Sequence, residues 1–332
     1  MSTQYEEKGM QIAQGVIVLA SAFIACSGAA FGQPYPTKPI RMVVPYPAGG
    51  GSDLLSRPVA QKLSEKFRQS VVVDNRGGAT GMIGTDIAAK SSADGYTLLL
   101  GSVAEVALNL AVYSKMPYNP ERDLAAVSLI ATSPLVLAVH PSLPAKDVKD
   151  FIALAKKQPG KIGYSSSGSG SPHNIAGEWM KLLAQVDITH VPFKGGGPQL
   201  VALLGGHVPS GFVALPVVAP HVKSGKLLGL AVTSAERSTA VPHVPTLHES
   251  GLEGLDVKQW WGILVPAGTS RGVISRLHGA LVEIVKLPDI RARMTELGAE
   301  PAGTSPAQFS DFIRTEIAKF KRIVKQASIK ID

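Results

Sequence analysis

Three glycine-rich turns in this sequence have the composition of an anion-binding site. They are Pro45–Asp53, Ser165–His173 and Phe193–Pro198. Glycine lets the backbone turn sharply and approach a ligand closely, and a helix that begins at such a turn offers unpaired N–H groups and the positive end of its dipole. One turn of this kind is as compatible with simple strand-to-helix packing as with a ligand. Three of them predict a single site built from several loops.

Five side chains could contact a ligand, and each has an alternative structural role. Asp53 could orient the first turn or cap the helix that follows. His173 could face a ligand from the first helical turn or be an ordinary polar residue at the surface, and Tyr46 could cover the ligand or pack on a hinge. Trp260 and Trp261 are neighbours on an expected strand, so at most one of them can line a cleft.

The motifs that catalysis or a resident metal would need are missing from the sequence. The turn Ser167–Ser171 reads Ser-Gly-Ser-Gly-Ser and contains no Gly-x-Ser-x-Gly nucleophile motif. The glycines of Gly78–Gly84 depart from the dinucleotide motif, and Lys194 precedes the glycines of its turn, unlike a P-loop lysine. The eight histidines form no close ligand set. We therefore expect no catalytic residue, no metal ion and no cofactor.

Strand-like and helical segments alternate along the chain, which predicts an α/β fold with parallel sheets and helices on their faces. Pro58 is expected to kink or shorten the first helix. The predicted strands are 40–44, 71–74, 96–100, 162–165, 189–191, 227–232 and 262–265. The predicted helices are 53–67, 82–90, 147–157, 173–184, 198–204, 216–223, 273–285 and 309–325.

Two segments are predicted to cross between two domains. The run 126–139 is too long and apolar for a loop, and Ser133-Pro134 interrupts its middle. A return crossing is expected near 258–265. This arrangement predicts domain 1 from residues 33–133 plus 259–332 and domain 2 from residues 134–258, with the glycine-rich turns in the cleft between them.

The N-terminal segment predicts export. No charged residue occurs between Gly9 and Thr37, and the apolar run Val16–Cys26 is followed by small residues. This is typical of a signal peptide, here residues 1–32 with cleavage before Gln33, although a transmembrane anchor is an alternative. A lipid anchor through Cys26 is a second alternative, because the preceding residues resemble a lipoprotein processing box imperfectly.

The overall charge favours anionic ligands. The net charge is +8, from 33 basic and 25 acidic residues. No cluster of Lys and Arg with interleaved aromatic residues is present, so we expect no nucleic-acid partner.

Six segments together resemble the substrate-binding receptors of bacterial tripartite tricarboxylate transporters, also called Bug receptors. They are Pro45–Asp53, Val73–Gly78, Asp94–Leu99, Val191–Gly195, Ala231–Ser234 and Pro266–Thr269. The resemblance implies a periplasmic binding protein of the type II fold, a Venus flytrap with two lobes, central sheets flanked by helices, and two crossover strands. Such a receptor captures a small carboxylate and passes it to membrane permease subunits. We expect a monomer.

The resemblance also implies which residues bind the ligand, since receptors of this family hold one carboxylate largely through backbone N–H groups and bound water. In the first turn the implied contacts are Tyr46, Ala48, Gly49, Gly50 and Asp53. In the second turn they are Ser166, Gly168, Ser169, Gly170, Ser171 and His173. We add Ser102, Lys194, Ala214 and Trp260 to the predicted ligand-binding set.

Three departures from the family pattern bear on the ligand. Pro209–Leu215 stands where an Asp and a polar residue are usual, Asn174 where a His is common, and Glu105 where a small hydroxyl residue is usual. The apolar Val213-Ala214 favours a ligand with a less polar distal end. Glu105, if it faces the cleft, favours an amine or hydroxyl instead. These two indications disagree, so the sequence does not identify the ligand.

Two other functions remain as alternatives. One is an exported hydrolase or transferase that uses Ser165–His173. The other is a ligand sensor that feeds a signalling partner. The sequence favours the transport receptor because the turns supply donors without a base to activate a nucleophile.

Overall fold

The structure is a computed structural model that describes residues 35–326 and residue 329. The chain divides after Thr37, and every helix and strand named below lies in the unit that starts at Lys38. Of the unit before it, Tyr35–Thr37 are described and form neither helix nor strand. The predicted signal peptide, its cleavage site and Cys26 lie outside the described residues. Among the helices described, none has the length and apolarity that a membrane span requires.

Ten strands of the described chain are joined in the order β2-β1-β3-β9-β4-β7-β5-β6, with β8 and β10 both paired to β4. The strands are β1 (Ile40–Val44), β2 (Val71–Asn75), β3 (Thr97–Ser102), β4 (Leu124–Val139), β5 (Gly163–Ser166), β6 (Thr189–Pro192), β7 (Ser210–Ala214), β8 (Leu228–Val232), β9 (Lys258–Pro266) and β10 (Glu300–Pro301).

Helices flank these strands, as the predicted α/β class requires. The α-helices are α1 (Gly51–Phe67), α2 (Met82–Ala89), α3 (Asn109–Val112), α4 (Pro120–Asp123), α5 (Val148–Lys157), α6 (Pro172–Ala184), α7 (Gly196–Leu204), α8 (Leu215–Lys223), α9 (Arg271–Lys286), α10 (Pro288–Glu296) and α11 (Pro306–Gln326). A 3₁₀ turn, Ala79–Gly81, precedes α2, and a π-helical turn, Ala104–Leu108, precedes α3.

Parallel pairing explains where the glycine-rich turns lie. In the first lobe, β1 runs parallel to both β2 and β3. In the second lobe, β5 runs parallel to both β6 and β7. Parallel neighbours place their carboxyl ends at one edge of a sheet, and ligands of such sheets bind at that edge. The three turns follow β1, β5 and β6, so each turn emerges from a carboxyl edge.

Strand β4 crosses between the lobes, and its antiparallel partner β9 begins beside the crossing point, as the predicted fold class requires. From Leu124 to Pro134, β4 pairs with the antiparallel strand β9. From Leu135 to Val139 it pairs with β7 and β8 instead. Pro134 has no N–H to donate, and it stands where β4 changes partners. The domain boundaries at 133/134 and 258/259 stay a prediction.

Helix α11 packs across the crossover strand β9. Trp260 of β9 is fully buried, and its ring meets Phe309 and Phe312 edge to face at 5.7 and 5.5 Å between ring centroids. Its indole Nε1 donates to Oε2 of Glu316 at 3.0 Å. Gly262 leaves room for Phe309, since a Cβ there would lie 2.1 Å from the phenyl Cζ.

Two elements differ from what the sequence led us to expect. Pro58 does not shorten the first helix, because α1 runs without interruption from Gly51 to Phe67. Its buried Leu55, Val59 and Leu63 lie on both sides of the proline and hold the helix against the sheet. The segment Ser210–Ala214 was not predicted to be a strand, yet all five of its residues are buried in β7. A strand buried on both faces lacks the alternating pattern that marks a half-buried one.

Candidate functional site

Loops of both lobes line a small cavity of about 40 Å³, here called the inner cavity. Its lining comes from the starts of helices and from the crossover strand β9. The lining residues are Tyr46, Gly50, Gly51, Ser52, Ser167, Pro172, His173, Gly196, Val213, Ala214, Val217, Gln259 and Trp261.

A second space, here called the outer cavity, adjoins the inner one. Tyr46 and Ser167 line both of them. The rest of the outer lining comes from Pro47, Asn75, Gly77–Gly81, Gly168, Ser169 and Pro192–Gly195. Lys194, which we predicted to contact the ligand, therefore lies at the outer cavity together with Gly168 and Ser169.

Asp53 holds the first turn in shape. Its carboxylate accepts hydrogen bonds from the backbone N–H of Gly49 at 3.0 Å and from the side-chain amide of Asn75 at 3.2 Å. It also forms an ion pair with Arg57 at 2.8 Å. Burial alone would raise the pKa of Asp53, but these hydrogen bonds outweigh it and hold the pKa below its ordinary value. Asp53 orients the turn and lines neither cavity.

Of the other predicted residues in the first turn, Tyr46 and Gly50 line the inner cavity. Ala48 and Gly49 do not. Both are exposed at the tip of the turn. The N–H of Gly49 is already bonded to Asp53.

The second turn is held largely by its own polar groups. Ser166 Oγ lies 2.6 Å from Nε2 of His190 and accepts from the N–H of Gly168. Ser171 caps α6 by accepting from the N–H of Asn174 at 3.3 Å. The N–H of Gly170 donates to Oδ1 of Asn174 at 3.0 Å. Ser166, Gly170 and Ser171 thus shape the turn without lining a cavity, whereas His173 lines the inner cavity.

The pair Ser166–His190 has the spacing of a nucleophile and its base but not their setting. Ser166 is fully buried. Burial lowers the pKa of His190, and within the described chain no carboxylate is hydrogen-bonded to its other ring nitrogen. A catalytic histidine is oriented by such a partner. Among the described residues, no group of three or more His, Cys, Asp or Glu is placed to hold a metal ion.

Glu105 lies behind Tyr46 and not in the cleft. Its buried carboxyl accepts from the Tyr46 hydroxyl at 2.9 Å and from Ser102 Oγ at 2.8 Å, and the N–H of Ser102 also donates to it. Burial raises the pKa of Glu105 to about 7. The predicted contact Ser102 is buried beside Glu105 and lines neither cavity. The sequence indication for a ligand amine or hydroxyl at Glu105 is therefore withdrawn.

Hydrogen bonds connect the loops of the two lobes at the outer cavity. Thr80 Oγ1 donates to the carbonyl of Ser169 at 2.9 Å, and the Tyr113 hydroxyl donates to the same oxygen at 3.3 Å. We call these two bonds the closure bridge. Ala79 and Thr80 have φ of +47° and +49°, a backbone region that costs non-glycine residues energy. Sequence reasoning missed Thr80 and Tyr113, which carry no local signal of this contact.

Trp261, and not the predicted Trp260, lines the inner cavity. Successive residues of β9 point to opposite faces, so Trp260 enters the core against α11 while Trp261 faces the cavity. Trp261 Nε1 donates to Ser52 Oγ at 2.9 Å. Gln259, two residues before Trp261, also lines the cavity and was missed, although a polar residue in an apolar crossover strand was a usable signal.

Comparisons with known proteins agree with this architecture. A family sequence model described as "Tripartite tricarboxylate transporter family receptor" matches residues 55–329. The chain belongs to this receptor family. Protein BugT of Bordetella pertussis is 36% identical over 320 residues, which are 95% of this chain and 98% of that protein.

Solved structures of similar receptors share the fold. A protein of R. palustris with adipate is 36% identical, has a TM-score of 0.87, and is matched over 89% of this chain and 99% of its own. MatC from Rhodopseudomonas palustris with bound malate is 29% identical and has a TM-score of 0.83. The match covers 87% of this chain and 100% of that one. The predicted family, the two-lobed fold and the assignment as a receptor rather than an enzyme are confirmed by these matches.

Proposed function

We propose that the inner cavity binds a small carboxylate and that the chain carries it in the periplasm to the permease subunits of a tripartite transporter. We further propose that residues 1–32 direct export and that the receptor acts as a monomer. The carboxylate ligands named for two related structures, adipate and malate, make dicarboxylates the first probes to try.

One observation carries this proposal: four helices begin at the inner cavity. The lining includes residues at the first turns of α1, α6, α7 and α8, represented by Gly51, Pro172, Gly196 and Val217. Helix N-termini present free N–H groups and a partial positive charge, so together they favour an anion. Of the lining residues described, none is Lys, Arg, Asp or Glu. An anion is then stabilised without the desolvation of a buried ion pair.

Part of the lining of the same cavity is apolar. The side chains of Val213, Ala214 and Val217 contribute hydrocarbon to it, and Trp261 adds an aromatic surface. A ligand with one ionised carboxylate at the helix starts and a hydrocarbon segment beyond it matches both surfaces. The predicted contact Ala214 fits this second role.

Thermal-shift screening of the purified receptor tests the proposal. The panel contains mono-, di- and tricarboxylates of increasing chain length, each paired with the uncharged amide of the same length as the control. A ligand that binds the native state alone raises the melting temperature. We expect at least one carboxylate to do so and its amide to have no effect. No shift with any carboxylate, or an equal shift with the amide, contradicts the proposal.

A further inference from the structure

The side chain of Gln199 has one possible orientation. It is fully buried in α7, and its Nε2 donates to the backbone carbonyls of Ser165 at 3.0 Å and Phe212 at 2.7 Å. Carbonyl oxygens only accept, so the amide nitrogen must face them. A flipped amide would place three oxygens together in the core. The Oε1 atom therefore points away from both carbonyls.

This orientation fixes the tautomer of His173. Nδ1 of His173 lies 3.0 Å from Oε1 of Gln199. Because Oε1 can only accept, Nδ1 carries the hydrogen and donates it. Burial lowers the pKa of His173 to about 4, so the ring is neutral near pH 7. A neutral ring protonated at Nδ1 has a bare lone pair on Nε2.

With Nδ1 bonded to Gln199, the lone pair on Nε2 is the part of the His173 ring that can still form a hydrogen bond. The one hydrogen bond that the described residues make to the His173 ring is at Nδ1, and His173 lines the inner cavity together with the apolar Val213 and Val217. An ionised carboxylate at this point would bring its negative charge against the lone pair, which is unfavourable. A hydrogen-bond donor would satisfy it. An ammonium group is a donor too, but four helix N-termini oppose a cation in this cavity.

We propose that His173, oriented by Gln199, is a specificity-determining residue that accepts a hydrogen bond from a hydroxyl group on the carbon chain of the ligand. The receptor then prefers a hydroxylated carboxylate to the unsubstituted acid of equal length. This inference rests on the proposed function, because it concerns the same cavity. A site built to bond a hydroxyl discriminates against an analogue that lacks it, since a buried acceptor is left unpaired.

Calorimetric titration with matched acids tests the inference. The pairs are succinate and malate, glutarate and 2-hydroxyglutarate, and adipate and 3-hydroxyadipate. For the pair whose length fits, we expect the hydroxy acid to bind about tenfold more tightly. In His173→Phe the preference should disappear, so that the hydroxy acid and the unsubstituted acid bind with equal affinity. His207→Phe, which changes an exposed histidine, is the control and should keep the preference.

Two further readouts do not depend on the variant being folded. Nitrogen-15 spectra of the wild-type imidazoles should show His173 protonated at Nδ1 only, with its Nε2 signal moving when the hydroxy acid binds. Titration in buffers of different ionisation enthalpy should show no proton uptake. Uptake of about one proton per ligand means that His173 becomes charged against a carboxylate, and this overturns the inference.

The outcomes separate the inference from the function on which it rests. If both acids of every pair bind equally, the hydroxyl preference is wrong and the carboxylate receptor stands. If no acid of any pair binds and the wider panel produces no thermal shift, the receptor proposal fails and the inference falls with it.

Discussion

Some residues of this receptor line the cavities, and others hold the lining residues in position through hydrogen bonds. Asp53 and Glu105 each bond a residue that lines a cavity, Asn75 and Tyr46 respectively, and neither carboxyl residue lines a cavity itself. Asp53 fixes the first turn through the N–H of Gly49, and Glu105 fixes Tyr46 through its hydroxyl. The burial of Tyr46 raises its pKa well above the ordinary value, so the phenol remains a donor to Glu105.

Glu105 makes the stability of the receptor pH-dependent. Its pKa is raised in the folded state to about 7, so the folded state holds a proton that the unfolded state has released. Its contribution is therefore fully present below the unfolded pKa of about 4.5 and is lost as the pH rises through 7, by roughly 3 kcal/mol in all. In Glu105→Gln this loss of stability with rising pH is absent, because glutamine does not ionise. Urea unfolding of both proteins from pH 4.5 to 8 should show the variant gaining stability relative to the wild type as the pH rises. A pH-independent difference contradicts the raised pKa.

At the scale of elements, the fold brings loops that are distant in sequence into contact. The closure bridge joins Thr80 and Ser169, which are 89 residues apart. The crossover strand β9 separates Trp260, which packs on α11, from Trp261, which faces the cavity. These contacts depend on strand register and loop closure rather than on local composition.

The closure bridge should strengthen ligand binding. Thr80→Val removes the hydroxyl that donates to Ser169 but keeps the shape of the side chain. If the two loops separate in the unliganded receptor, losing this bond weakens ligand affinity about two- to tenfold, the range for one hydrogen bond. Calorimetry with the tightest carboxylate measures the effect. Thr315→Val, which removes an exposed hydroxyl on α11, is the control. Equal affinities in the two variants would show that the bridge does not contribute.

Packing of α11 on β9 should be sensitive to a single methyl group. In Gly262→Ala the new Cβ would lie 2.1 Å from Cζ of the buried Phe309, so the ring or the helix must move. Overpacking of this kind costs about 1–3 kcal/mol of unfolding free energy. Gly279→Ala on α9 adds a methyl with no atom within 4 Å and serves as the control. Urea unfolding should show a loss for Gly262→Ala alone, and equal stabilities would contradict the packing.

The features that could be predicted from the sequence were those marked by residues close together in the chain. The turn Pro45–Asp53 was recognisable because its glycines and the flanking periodicities lie together. The sequence could not decide between Trp260 and Trp261, because the alternation of side chains along a strand does not reveal which face of the strand lines the cavity. The sequence left the position of Glu105 open, because its burial depends on the π-helical turn after β3. The contact of Thr80 with the second lobe had no local signal at all.

At the scale of the whole molecule, the receptor brings the starts of four helices to the inner cavity without a basic side chain among the lining residues described. The helices come from both lobes: α1 from the first, and α6, α7 and α8 from the second. A ligand that contacts all of them must hold both lobes together. Two of these helices begin at glycines, α1 at Gly50-Gly51 and α7 at Gly195-Gly196, which leaves the backbone there uncovered by side chains.

Titration of a carboxylate into Gly50→Val is the measurement that tests this account most directly. Gly50 has φ of −86°, which valine adopts without strain, and its Cβ would point at the backbone nitrogens of Gly196 and Gly197, 3.9 Å away. The added methyl groups would cover the start of α7. We predict at least a tenfold loss of affinity with little change in unfolding free energy, whereas Gly272→Val, whose Cβ has no atom within 4 Å, keeps wild-type affinity. Wild-type affinity in Gly50→Val would place the carboxylate elsewhere and contradict the central claim.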